Sequence, residues 1–275
     1  MTKHYKSPYT PTKLIWLTDL HLDRAAGEDR TRLLNELSNR DYDAAVITGD
    51  IATATSVCDH LESLAAACYP RPVYFVLGNH DFYFAAMSQT YDRVASLSRS
   101  VPNLRHLHHT GPISLNRHTA LIGHHGWADA RCGWGSNTVI NSPDHRHIPD
   151  FQNLSREERY RKMEILGRQA TNAIRIGLLS ALRQRKQVVV ATHVPPFPST
   201  VHFDGRICGD THMPHFANIS LGAMLIGIAK RNRQRITVLS GHTHSPITDT
   251  ILANIQAHVG GAWKGTSEAP NILQF

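Results

Sequence analysis

The sequence predicts a one-domain α/β protein built around a parallel sheet. Three observations carry this. Short apolar runs rich in β-branched residues, among them Val73-Tyr74-Phe75-Val76-Leu77 and Val188-Val189-Val190-Ala191-Thr192, read as strands buried on both faces. In the first third of the chain such runs alternate with stretches of helical apolar spacing, giving β-α-β-α-β order. Five of the runs end in polar or flexible residues, where α/β folds place ligands, outside the carboxyl ends of the strands.

The chain has 275 residues, 41% of them hydrophobic, which is enough to bury a full core. It shows no repeat, low-complexity tract or linker, so one domain over 1–275 is the simplest organisation. The charge is +7, from 29 basic and 22 acidic residues. That balance suits anionic partners such as phosphate esters or nucleic acid, although no basic run stands out. Of 19 histidines, five fall at the strand ends and 14 are left without a role. Cys58, Cys68, Cys132 and Cys208 have no CxxC spacing, which argues against a disulfide framework or zinc knuckle. Met1 to Thr12 is polar and lacks an apolar h-region, so it is not expected to be a signal peptide. No apolar run reaches 18 residues, so no membrane span is expected. A soluble, cytoplasmic protein follows from these readings.

In chain order, Leu14 to Thr18 is the first strand and ends in Asp19-Leu20-His21. Strand geometry alternates faces, so Asp19 and His21 can point the same way, with Leu20 into the core, and can chelate a metal. Glu28 to Leu37 has helical spacing. Ala44 to Thr48 is the second strand, ending in Gly49-Asp50, where glycine permits a sharp turn. Thr55 to Ala67 is helical, and the third strand leads into Gly78-Asn79-His80-Asp81. Ala85 to Leu97 reads as the next helix. Leu104 to Leu107, Ile113 to Leu115 and Ala120 to Ile122 are short strands assigned to a second sheet. Gly123-His124-His125-Gly126-Trp127 opens an irregular stretch to Phe151. Its Trp127 and Trp134 suggest an ordered loop shaping a substrate pocket, or else a plain surface excursion. Ser155 and Glu158 form a capping box ahead of an amphipathic helix of about seven turns. Val188 to Thr192 ends in His193. A second polar loop spans 197–215, and Phe216 to Ala229 is helical. Ile236 to Leu239 ends in Ser240-Gly241-His242-Thr243-His244, and by alternation His242 and His244 share a face. Ile247 to Leu252 and Ile255 to Val259 make a closing hairpin.

Each strand-end motif is weak alone. Together, Asp19, His21, Asp50, Asn79, His80, Asp81, His193, His242 and His244 supply carboxylates, imidazoles and an amide oxygen, with no thiolate. Such donors suit Mn, Fe, Zn or Co. They are numerous enough for two metals sharing one carboxylate, an arrangement that serves hydrolysis at phosphorus.

The ordered set Asp19-x-His21, Gly49-Asp50, Gly78-Asn79-His80-Asp81, His193 and Gly241-His242-Thr243-His244 resembles the calcineurin-like metallophosphoesterase family over roughly residues 14 to 250. The resemblance implies a four-layer α/β/β/α sandwich of two mixed sheets. It implies one metal held by Asp19, His21 and His244, a second by Asn79, His193 and His242, and Asp50 bridging them. It further implies direct hydrolysis by a metal-bridging hydroxide, with His80 stabilising charge and acting as general acid and Asp81 orienting its ring. The expected partner is a small-molecule phosphate ester. A phosphodiesterase or nuclease acting on nucleotides or nucleic acid is the alternative, and a non-catalytic protein-binding scaffold is the reading from another class.

Overall fold

The computed structural model describes residues 12–203, 205–263 and 271–275. The N-terminal stretch discussed above thus lies, except for Thr12, outside the described residues. The chain runs β1 (Lys13–Leu17), α1 (Gly27–Asn39), β2 (Ala44–Thr48), α2 (Val57–Cys68), β3 (Val73–Val76), α3 (Met87–Ser100) and β4 (Leu104–His106). It continues through β5 (Ile113–Ser114), β6 (Thr119–Gly123), α4 (Asp144–His147), α5 (Arg156–Leu182), β7 (Gln187–Ala191) and a small hairpin, β8 (His202–Phe203) with β9 (Arg206–Ile207). The remainder is α6 (Met213–Phe216), α7 (Ile219–Ala229), β10 (Arg235–Ser240), β11 (Ile247–Leu252), β12 (Ile255–Val259) and β13 (Asn271–Gln274).

One sheet has the order β13-β1-β2-β3-β4 and the other β11-β12-β10-β7-β6-β5. Both are mixed: β13 runs antiparallel to β1, and β5 and β11 are antiparallel edges on an otherwise parallel sheet. Successive strand side chains point to opposite faces. Leu14 and Trp16 of β1 and Val46 of β2 therefore meet Val189 and Ala191 of β7 and Leu239 of β10 between the sheets. Ile15, Leu17 and Ile47 face the other way, with Leu37 of α1 and Leu61 of α2. On the far side, Val188, Val190 and Val238 pack with Leu178 of α5 and Leu225 of α7. Helix, sheet, sheet and helix make the four expected layers. Each fully buried Leu, Ile or Val in them contributes about 1.5–3 kcal/mol.

Three elements differ from the sequence reading. Leu104–His106 joins the first sheet, parallel to β3 with Val73 opposite Leu104, and not the second. Residues 216–229 are not one helix: Ala217 is extended, and Asn218 caps α7 by accepting the Leu221 N–H at 2.9 Å. β13 escaped notice because four residues carry too little periodicity, and its partner is the edge of β1. The α5 capping box is present in both directions, with Ser155 N–H donating to Glu158 at 2.7 Å and Glu158 N–H to Ser155 at 3.3 Å.

The loop from 127 to 151 is ordered, and Trp127 packs into the core while also lining a cavity with Tyr91 and Leu166. Trp127 is 5% exposed and stacks on Phe151 at 5.6 Å in the helix-side core, whereas Trp134 is 53% exposed. Among the described residues, no helix is long and apolar enough to cross a membrane.

Candidate metal centre

The five strand-end motifs meet along one edge of the two sheets. Backbone bonds zip their loops together: Asp19 N–H donates to the Gly49 carbonyl at 3.0 Å, His21 N–H to the Asp50 carbonyl at 2.9 Å, and Gly241 N–H to the His193 carbonyl at 2.9 Å. Asp19, His21, Asp50, His242 and His244 all have φ between +43° and +72°. A left-handed backbone at non-glycine residues is costly, and its concentration here marks a functional site. It also means that these residues have left the strands, so alternation does not govern where they point. His242 and His244 accordingly aim at different neighbours.

Two groups form. In the first, one donor atom each from Asp19, His21, Asp50 and His244 lies within 4.8 Å of the others. His21 Nε2 is 3.2 Å from His244 Nε2 and 3.8 Å from Asp50 Oδ2, and His244 Nε2 is 3.3 Å from Asp19 Oδ1. In the second, Asn79 Oδ1 is 3.0 Å from both His193 Nε2 and His242 Nδ1, which are 3.2 Å apart. Asp50 stands between them, with Oδ1 3.4 Å from His193 Nε2 and Oδ2 toward His21. A Cβ on Gly78 would run into Asp50 and His193, and one on Gly241 into Asp19, so both positions need glycine for close approach.

Polar partners behind the second group set its protonation. His193 Nδ1 lies 2.8 Å from the Thr48 carbonyl and His242 Nε2 lies 2.9 Å from the His215 carbonyl. A carbonyl only accepts, so these nitrogens carry the protons, and His193 Nε2 and His242 Nδ1 present lone pairs. The Asn79 amide donates through Nδ2 to Asp144 Oδ1 at 2.8 Å, which leaves Oδ1 facing the same lone pairs.

Electrostatics follow from burial and crowding. Burial, joined by the Asp19 and Asp81 carboxylates, pushes Asp50 well above the usual carboxylate range. Burial alone would also raise Asp19, but the His244 hydrogen bond and the nearby His193 and His244 rings, with the Thr18 hydroxyl, hold it at about 2. Burial lowers His21 to about 4 and His193 to about 3. His80 is pushed down to about 2 by burial and then by His21 and Arg24.

His80 reaches the rim of the site. Its Nδ1 is 3.3 Å from Arg24 Nη2, its Nε2 is 3.9 Å from Asp50 Oδ2, and its ring stacks on Tyr83 at 4.3 Å. Arg24 only donates, so Nδ1 accepts and Nε2–H faces the centre. The expectation that Asp81 orients this ring is corrected. Asp81 Oδ1 accepts from the Ile51 and Ala52 N–H groups, both at 2.9 Å, and Oδ2 from Gly78 N–H at 2.7 Å. Asp81 thus ties the Asp50 loop to the Gly78 loop. Burial pushes it up to about 7 despite these donors.

Two residues of the site escaped the sequence reading. Asp144, from the loop without a motif, accepts from both Asn79 and the Tyr83 hydroxyl, the latter at 2.7 Å. Arg24 follows the first motif by three residues, and no spacing rule singles it out.

The profile of the calcineurin-like phosphoesterases matches residues 12–246. A dimetal phosphatase from Danio rerio superposes with a TM-score of 0.54 at 15% identity, over 92% of this chain and 88% of that one. The protein TT1561 of Thermus thermophilus gives 0.54 at 13% identity, over 92% and 91%. GAP50, the anchor in the inner membrane complex of Plasmodium, gives 0.50 at 12% identity, over 95% and 76%. At these identities the superpositions speak for the fold alone. No curated protein matches the chain in sequence. With the family profile covering the whole span from β1 past the last strand-end motif, the chain belongs to the calcineurin-like phosphoesterase family and is a metal-dependent phosphoesterase.

Proposed function

We propose that the chain hydrolyses a small-molecule phosphate ester at a centre for two metal ions. Asp19, His21 and His244 would hold one ion, Asn79, His193 and His242 the other, and Asp50 would bridge them. The observation that carries this reading is the convergence of His193 Nε2, His242 Nδ1 and Asn79 Oδ1, three acceptors within 3.2 Å of one another and no donor between them. Buried acceptors facing each other are unfavourable unless a cation lies among them. The donor set lacks thiolate, which supports Mn, Fe, Zn or Co. Two ions in such a site acidify water and neutralise charge on the phosphoryl group.

The protein's own groups account for the rest. Asp50 offers one oxygen to each side, its Oδ1 oriented by the His80 N–H at 2.9 Å. His80 is neutral and directs Nε2–H at the position of a phosphoryl or leaving oxygen, as a hydrogen-bond donor. Arg24 adds a cation beside it and keeps the ring in that tautomer. Water is the nucleophile, and no phosphoenzyme forms. A cavity of about 230 Å³ beside Thr243, with Phe203, Ile207 and Phe216 on its walls, supports a substrate with an apolar or planar organic group. The four cysteines are free thiols, which supports a reducing, cytoplasmic compartment.

The test is hydrolysis of a chromogenic phosphodiester and a phosphomonoester with Mn, Zn, Mg or chelator. Activity restored by Mn or Zn and lost in chelator is expected, and turnover that survives complete metal removal would overturn the reading. Asp144 gives a second, quantitative check. Asp144→Ala frees the Asn79 amide to rotate and should weaken metal binding by about 10–100-fold, as loss of a partner behind a ligand typically does. Metal titration measures this. Unchanged affinity would reduce Asp144 to an anchor for its own loop.

A further inference from the structure

We propose that His108, His124 and His125 form a third metal site, separate from the strand-end centre, for one zinc-like divalent cation. One ring nitrogen from each lies within 4.8 Å of the others. The three rings are in mutual contact, with centroids 4.3–4.4 Å apart. Both sheets supply them. His108 sits in the turn directly after β4, while His124 and His125 follow β6 without a gap. They therefore occupy carboxyl ends of parallel strands, as the strand-end motifs do, yet none belongs to those motifs.

The chemistry favours a cation of intermediate softness. Three imidazoles without a carboxylate suit Zn(II), Co(II), Ni(II) or Cu(II) and exclude Mg or Ca, which require oxygen. His124 and His125 are buried, and the site opens on a cavity of about 330 Å³ whose other walls include Met87, Tyr91, Trp127, Leu166 and Gln169. That lining is uncharged. The cavity provides an entry path and a fourth position for water or an added ligand, the pattern of three-histidine zinc sites. Behind the trio, the Tyr91 hydroxyl lies 2.7 Å from His125 Nε2, as a partner that fixes the ring of a ligand does. The His125 carbonyl accepts the His193 N–H at 2.9 Å, so the trio also holds the backbone of a strand-end residue.

Loading demands a small movement. The planes of His108 and His125 are 20° apart, and Gly126 N–H leans on His124 Nδ1 at 3.2 Å. Nitrogens bonded to one zinc at 2.0–2.1 Å stand roughly 3.3 Å apart, so the rings must turn toward a common point and that contact must loosen.

The test is zinc content per chain, after exposure to excess zinc and desalting, in the wild type, His108→Phe and His124→Gln. Phenylalanine keeps the ring stacking and glutamine keeps a polar side chain, so at least one variant should fold. The expected result is one zinc fewer in each folded variant. In wild-type crystals, an anomalous peak at the zinc edge should lie among the three rings. Equal zinc in the wild type and the folded variants, with no such peak, would overturn the proposal and leave the trio as stacked aromatic packing. The proposal does not rest on the strand-end centre: if that centre held fewer ions than proposed, the one-ion difference would still be seen.

Discussion

Asp50→Asn is expected to release at least one metal ion and to abolish hydrolysis. Asp50 is buried, and its two oxygens face opposite sides, Oδ1 at 3.4 Å from His193 Nε2 and Oδ2 at 3.8 Å from His21 Nε2. An amide cannot offset two adjacent cations, and its N–H₂ would point a donor into one of the two sides. The loss in kcat should exceed the 10–100-fold seen when only an outer partner of a ligand is removed. The metal-free protein should behave in the opposite sense. Burial and the Asp19 and Asp81 carboxylates raise the Asp50 pKa in the folded state. A raised carboxyl favours folding below its unfolded value, near 3.9, and that contribution is lost as the pH climbs through the folded value. At pH 7 and without metal, Asp50→Asn should therefore melt at or above the wild-type temperature, whereas added Mn should raise the wild type by more than the mutant. Calorimetry with chelator and with metal, beside metal analysis and kcat, reads all three effects. Wild-type stoichiometry and rate in the mutant would sink the bridging role.

His80→Asn should keep the metals and lower kcat by about 10²–10⁴-fold, the usual contribution of a positioned proton-bearing group. Its Nε2 is 3.9 Å from Asp50 Oδ2, while Nδ1 accepts from Arg24 at 3.3 Å. With a pKa held at about 2, the ring is neutral at pH 7 and acts through Nε2–H as a hydrogen-bond donor. The expected loss is then similar for an alkyl and a nitrophenyl ester, because charge on phosphorus develops in both. A much larger loss on the alkyl ester, whose leaving oxygen needs a proton, would show that bound substrate restores the imidazolium and that His80 is the general acid. Loss of a metal in the mutant would make His80 a ligand.

The strand-end set was legible because each member is a local event. A run such as Val73 to Val76, apolar on both faces, has only one place in an α/β fold, and the polar residues that follow it must emerge at the carboxyl edge. Five such events in fixed order carry the resemblance to the calcineurin-like family, and it is the resemblance that implies fold and reaction class together. The sequence also contained both halves of the α5 capping box, whose partners lie three residues apart. What it did not contain is the choice of partner between distant segments. Asn79 and Asp144 are 65 residues apart, and their bond depends on how the 127–151 loop folds back over the β3 edge. Asp81 was misread because its neighbour in sequence, His80, is not its neighbour in space: the left-handed turn at Asp50 brings the Ile51 and Ala52 N–H groups onto its carboxylate, and desolvation makes those donors obligatory. Nor does alternation survive where φ turns positive, so only the folded chain sends His242 and His244 to different sides.

By itself, then, the sequence determined the buried strands, the edge that carries the chemistry and the residues gathered there, since strand burial and strand ends are set by neighbours in the chain; the four layers were implied only by the family resemblance. Tertiary structure alone decided which nitrogen faces inward, which carboxylate supports and which bridges, and that His108 meets His124 and His125, because hydrogen-bond direction and burial are properties of segments packed together and not of any one of them.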